Sequence, residues 1–367
     1  MNALLELTDL GVSIWLDDLD RHRITSGNLA YLIENKCVRG VTTNPAIFDK
    51  AVSAGAEAYA AQISELTAQG KDVDQIIRRL TTDDVRAACD LFTSLWQQSG
   101  GVDGRVSIEV DPRLANDTAA TITQAAELWT QVARPNVLIK IPATAAGLPA
   151  ITESIANGIS VNVTLIFSVD RYREVIAAYE AGLLRARAAG LDLSTIQSVA
   201  SFFVSRVDAA VDARLEVNAT PAAIELKGEA AIANARLAWV AYEDALATAR
   251  WAELAGVGAN PQRPLWASTG VKDPKYDDTR YVVDLATSGC VNTMPEATLE
   301  AVDQHGRVIG DTVRGTGAAA AATWRQLAEL GIDQRAVCDH LEIEGVQKFI
   351  DSWEQLRGTV QNAMQAP

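Results

Sequence analysis

Short, apolar, β-branched runs alternate with longer stretches of helical spacing about eight times along this chain. The expected strands are Val12–Asp18, Gly40–Pro45, Arg105–Pro112, Val137–Thr144, Ser160–Phe167, Thr195–Val204 and Pro264–Thr269, with a shorter eighth near Gly289–Thr293. Strand–helix alternation argues for a parallel sheet. Eight units in 367 residues fit a closed (β/α)8 TIM-type barrel with extra helices better than an open doubly wound sheet. We expect one barrel domain over residues 1–367, with a helical C-terminal extension from about 320 to 367.

The intervening stretches carry helical signals. Residues 47–99 are too long for one helix and stop at the Gly-rich run 99–104. Ile122, Ala125, Ala126, Trp129 and Val132 recur at amphipathic spacing. Ser168 is an expected N-cap before a stripe of Tyr172, Val175, Ile176 and Tyr179. A long Ala-rich region covers about 221–255, and Val346, Phe349, Ile350, Trp353 and Leu356 keep helical spacing near the end.

Side chains alternate across a strand, so each strand offers one face to the helices and one to the barrel interior. Val106, Ile108 and Val110, then Val137, Ile139 and Ile141, then Val161, Val163 and Leu165 supply outward faces. The inward faces then carry Asp17, Asn44, Glu109, Lys140, Asn162, Thr164, Ser201 and Ser268, each toward the C-terminal end of its strand. Trp15 and Trp266 are expected to line the interior as well. Active sites of such barrels sit at that end.

Lys140 is the sharpest member of the set. An apolar strand has no structural use for a central ammonium, and lysine is almost never buried unless paired. One reading is a lysine that snorkels or pairs with a carboxylate. The other is a nucleophilic amine that forms a Schiff base with a carbonyl substrate, since desolvation favours the neutral, reactive form. The ring of polar inward residues favours the nucleophile, because buried polar groups without partners are costly.

The formal net charge of −15 argues against a nucleic-acid or anionic-membrane surface, so an anionic substrate would need a local basic site. Cys37, Cys89, Cys290 and Cys338 are scattered, as suits reduced thiols in a cytoplasmic protein. No apolar run of spanning length and no signal-like N-terminus occurs. His22, His305 and His340 have no zinc-like spacing, which argues against a histidine-based metal site. Gly315-Thr-Gly-Ala-Ala-Ala320 has the look of a dinucleotide fingerprint but lacks a preceding apolar strand, and a helix start is expected there. Asp18 and Asp20 fall off the Asp17 face and read as solvated carboxylates.

Five segments in register resemble the transaldolases, class I Schiff-base enzymes of the pentose phosphate pathway. They are Thr42–Pro45, Ser107–Asp111, Leu138–Pro142, Asn162–Ser168 and Ser201–Asp208, within a span of about 12–293. Residues 267–272 and 292–298 resemble the longer bacterial branch. The resemblance implies transfer of a dihydroxyacetone unit from sedoheptulose 7-phosphate to glyceraldehyde 3-phosphate, with no cofactor and no metal. It implies Lys140 as the Schiff-base amine and Asp17 as the base at the C4 hydroxyl. Glu109 and Thr164 would hold a proton-shuttling water. Asn44, Asn162 and Ser201 would bind substrate hydroxyls, Phe203 would wall the site, and Arg206 and Ser268 would bind phosphate. Many relatives carry an arginine two residues after that serine, where this chain has Gly270; Lys272 is the nearest cation. Two rivals stand beside this expectation: an aldolase that uses free dihydroxyacetone, and a non-catalytic barrel that binds sugar phosphates.

Overall fold

A computed structural model describes residues 2–365. Eight parallel strands, β1 to β8, close a barrel in sequence order. They are Ser13–Leu16, Val38–Val41, Arg105–Glu109, Val137–Pro142, Val161–Ile166, Ser198–Phe203, Arg263–Ala267 and Val291–Met294. The last strand pairs with the first, Ser13 beside Val291 and Leu16 beside Met294, so no edge is left open. The expected (β/α)8 class is what the chain adopts.

Several boundaries move for identifiable reasons. β2 ends at Val41, short of the expected Pro45, because Asn44 caps the next helix and Pro45 occupies its first turn. β3 ends at Glu109, since Pro112 opens a 3-10 turn capped by Asp111. The 47–99 region becomes four helices, Pro45–Ala54, Ala56–Ala68, Val73–Leu91 and Thr93–Gln98. The helix Thr118–Val132 buries Thr121, Ala125, Leu128 and Val132; the expected stripe was rotated, leaving Ala126 exposed. The Ala-rich region divides into Pro221–Glu225, Ala230–Leu246 and Ala249–Ala255. Gly317 does start a helix, Gly317–Glu329, as expected of the false fingerprint.

The barrel interior is filled in layers. Arg263 on β7 donates through Nη1 to Ser13 Oγ at 2.8 Å and pairs with Asp103 at 3.2 Å. Trp15 sits above, fully buried, as its expected inward place requires. A Cβ on Gly40 would lie 2.5 Å from its ring, so β2 can pass only with glycine there.

Trp266 does not line the interior. It meets Phe202 edge-on, Phe202 in turn meets Tyr172 of the helix Val169–Ala188, and its indole N–H donates to Leu285 O. Leu265 and Ala267 therefore share the inward face of β7, and strict alternation would send Ser268 outward. Ser268 instead has φ +56°, a left-handed turn that brings it back to the cavity wall. Leu165 likewise departs from the outward row, at φ +60° within an irregular β5–β6 register.

The C-terminal helix, Gln334–Met364, is about 46 Å long at 1.5 Å per residue. Cys338 Sγ donates to Phe167 O at 3.2 Å, and a Cβ on Gly345 would lie 3.1 Å from Leu165 Cδ2. Phe349 lies over Lys140, its ring centroid 5.7 Å from the amine. Farther on, Arg357 pairs with Asp74 and Thr359 bonds Asp49, both on helices that follow β2. The helix therefore crosses the barrel mouth from the β5 side to the β2 side.

Candidate active site

The strand register sets Glu109, Lys140 and Asn162 side by side on β3, β4 and β5. Lys140 is 4% exposed. Its Nζ donates to Thr43 O at 3.0 Å and lies 3.6 Å from Glu109 Oε2, a Coulomb contact longer than a hydrogen bond. Among the described residues, none gives a hydrogen bond to either buried Glu109 oxygen or to buried Thr164 Oγ1. Burial lifts the Glu109 carboxyl to about 7, against the opposing pull of the Lys140 charge.

Asp17 follows β1. It keeps some exposure to the cavity, yet protein surrounds it closely enough that burial raises its pKa; the Lys140 charge and a 2.8 Å hydrogen bond from Thr42 Oγ1 offset part of that. Asp17 and Glu109 thus flank one amine from different strands, with different hydrogen-bond environments.

Ser107, Asn162 and Ser201 form a buried chain. Asn162 Nδ2 donates to Ser107 Oγ at 2.9 Å, and Ser201 Oγ donates to Asn162 Oδ1 at 2.7 Å. Asn162 is wholly enclosed, whereas Ser201 reaches the cavity wall. Asn44 spends its side-chain oxygen on the Ile47 N–H at 3.0 Å, as the helix cap.

A cavity of about 170 Å³ opens at this end of the barrel, walled by Asp17, Asn44, Lys140, Ser201, Phe203 and Arg206, and also by Ser268, Lys272 and Phe349. Glu109 and Thr164 lie outside that wall. Arg206 opens the helix Ser205–Asn218, with its guanidinium 5.3 Å from the Phe203 ring centroid. Its buried Nη1 has no partner among the described residues, and burial lowers its pKa, opposed by Glu344 and Asp17. Asp208, a candidate ion-pair partner for it, is occupied by the Ala231 N–H and Tyr281 O–H. Lys272 is exposed overall, but partial desolvation of its ammonium and the nearby Arg206 charge lower its pKa. Asp18 and Asp20 are not free carboxylates: Asp18 pairs with buried Arg23 at 2.8 Å and Asp20 caps the helix Arg21–Thr25.

The family model for transaldolase/fructose-6-phosphate aldolase matches residues 14–360. The chain belongs to that transaldolase family. A transaldolase of Mycolicibacterium paratuberculosis is 59% identical over 362 residues, covering 98% of this chain and 97% of the relative. "Transaldolase 1" of Streptomyces coelicolor is 58% identical over 362 residues, covering 99% and 95%. A Thermobifida fusca transaldolase is 54% identical over 365 residues, covering 100% and 99%. The chain is thus an enzyme of the transaldolase kind, similar to bacterial members along its whole length.

Sequence reasoning missed what the C-terminal helix brings to this transaldolase-family cavity. Phe349 was visible only as one member of an apolar stripe. Nothing local in sequence says that this stripe lies over the barrel mouth rather than on its flank.

Proposed function

We propose that the chain transfers a dihydroxyacetone unit from sedoheptulose 7-phosphate to glyceraldehyde 3-phosphate through an imine on Lys140, in the pentose phosphate pathway. The observation that carries this is the Lys140 amine, buried at the barrel mouth between two carboxylic acids of raised pKa. The amine adds to the ketone carbon and water leaves, which gives a protonated imine. Glu109 and Thr164 serve the proton transfers at that oxygen through a held water. Their unpaired buried atoms supply the acceptor and the hydroxyl such a water needs. Asp17 takes the C4 hydroxyl proton, the C3–C4 bond breaks, and its electrons pass to the imine nitrogen. The aldose leaves and the enamine attacks the acceptor aldehyde by the reverse steps.

Arg206, Ser268 and Lys272 would hold the phosphate. A planar guanidinium offers two parallel donors to phosphate oxygens, and the start of the helix Ser205–Asn218 favours an anion further. Asn44 and Ser201 would bind substrate hydroxyls; Asn162 would act mainly through Ser201. The compartment we assign is the cytoplasm, in keeping with four cysteines that remain free. Among the described residues, no helix is long and apolar enough to cross a membrane.

Borohydride reduction in the presence of fructose 6-phosphate tests the proposal. The adduct should map to Lys140, and Lys140→Met should abolish it while the fold is kept. An adduct on any other lysine would sink it. Dependence of product on an added aldose phosphate separates transfer from simple release of dihydroxyacetone.

A further inference from the structure

Phosphate recognition has a gap on β7's loop, where Gly270 stands within the cavity wall and supplies no side chain. The C-terminal helix passes over the same wall. Gly345 and Phe349, one turn apart, face the barrel, one against Leu165 and the other over Lys140. Glu344 and Lys348 each precede one of those residues, so they share the adjacent face at the rim of the mouth. They pair with each other at 2.7 Å, and both stay partly exposed, at 38% and 53% of their side chains.

Their charges reach the phosphate-binding cations. Lys348 is among the charges that depress Lys272, and Arg206 is among those that hold Glu344 in its ionised form. Arg206, Lys272 and Phe349 wall the cavity, and Lys348 directly precedes Phe349 on the helix that crosses it, in a protein whose net charge is −15. Among the described residues, neither Arg206 nor Lys272 has an ion-pair partner within 4.0 Å; Lys348 has only Glu344.

We propose that Lys348 is a further phosphate-binding residue, contributed by the C-terminal helix, and that Glu344 competes with the substrate's phosphate for it. The proposal rests on the sugar-phosphate reading above. An exposed i,i+4 pair on a helix is weak enough to be exchanged for a better anion. A phosphate dianion already gripped by Arg206 is such an anion. Glu344 then acts as a threshold, and neutral sugars gain nothing at this rim.

The experiment compares kcat/KM for fructose 6-phosphate with that for fructose, in Lys348→Met, Glu344→Gln and the double variant, with Arg206→Ala alongside. Inhibition by inorganic phosphate is the second readout. Lys348→Met should lower the phosphorylated-to-plain ratio about three- to tenfold, less than Arg206→Ala, as suits a partly exposed cation. Glu344→Gln should raise the ratio and tighten phosphate inhibition. The double variant decides the mechanism. If Lys348 touches phosphate, removing it still lowers the ratio when Glu344 is already gone. If the double variant equals Glu344→Gln alone, Lys348 only neutralises its neighbour and the proposal is overturned. An unchanged ratio in Arg206→Ala would remove the phosphate site itself, and both readings with it. Lys348→Met replaces an exposed side chain, so loss of fold does not cloud the outcome.

Discussion

At the scale of single residues, the site is a set of environments imposed on ordinary side chains. Burial moves Glu109 from an ordinary 4.5 to about 7, so it can give and take protons at neutral pH. The rate of imine trapping should therefore show a limb near pH 7, and Glu109→Gln should lose that limb and slow trapping by about 10² to 10⁴-fold. A limb that persists in Glu109→Gln would assign it elsewhere. The stability consequence has a definite sign. Between about 4.5 and about 7 the folded carboxyl keeps a proton that the unfolded chain has released. Folding is then progressively disfavoured as pH rises through that window, by about 3 kcal/mol in all, and levels off above it. Denaturant titrations across pH should show a shallower slope in Glu109→Gln than in the wild type, the remainder coming from other buried carboxyls such as Asp208, raised to about 6. Asp17→Asn should behave differently, blocking cleavage while still allowing the imine to be trapped. Ser268 carries a second kind of imposed environment, a left-handed φ of +56°. Ser268→Gly should be more stable than Ser268→Ala by about 1 kcal/mol, because only glycine relieves that backbone. Both should bind phosphorylated sugar less well. Equal stabilities would mean the turn is unstrained.

At the scale of elements, the C-terminal helix is the part that alternation along a strand cannot reveal. Phe349 is 5% exposed and lies between Lys140 and solvent. A roof of this kind should keep water from the imine and enamine between donor cleavage and acceptor arrival. Phe349→Leu, which preserves most of the packing, should raise acceptor-free release of dihydroxyacetone relative to transfer; Phe349→Ala should raise it more and cost about 3–5 kcal/mol of stability. If the partition stays fixed while stability falls, the ring is structural only. The same helix marks the limit of what sequence could tell. β3, β4, β5 and β6 were legible because a buried parallel strand with one polar face writes its period directly, as in Ser107 and Glu109, Lys140, Asn162 and Thr164, or Ser201 and Phe203. β7 was not, because Trp266 and Ser268 share a parity in sequence but the left-handed turn at Ser268 breaks it in space. β2 was read too far along, because Thr42 and Thr43 continue the β-branched run of the strand, while Asn44 and Pro45 already cap and open the next helix. The roof over Lys140 depends on contacts between residues some 200 positions apart, and a local period holds no record of those.

At the scale of the whole molecule, a chain with net charge −15 must admit an anionic sugar. Two fields act on that sugar. The dispersed acids repel it over long distances, and in the proposed function Arg206 with Lys272 would attract it at the mouth. Salt separates the two, because the screening length shrinks from about 30 Å at 0.01 M to about 10 Å at 0.1 M. The first salt added should remove the distant repulsion and leave the close cations almost untouched, so kcat/KM for fructose 6-phosphate should rise. Beyond about 0.15 M, where the length falls below about 8 Å, the contacts at the mouth are screened too and kcat/KM should decline. The expected profile is a maximum at intermediate ionic strength. Arg206→Ala removes the main short-range attraction, roughly 10- to 150-fold in kcat/KM from the loss of charge-assisted hydrogen bonds. With it gone, the falling limb should flatten while the rising limb remains. Unphosphorylated fructose, being neutral, should show neither limb. Steady-state kinetics across ionic strength for the two sugars, with wild type and Arg206→Ala, checks all three expectations. A monotonic fall for wild type would mean the local cations set the field at every distance. A rise without a maximum would mean that Arg206 does not hold the phosphate.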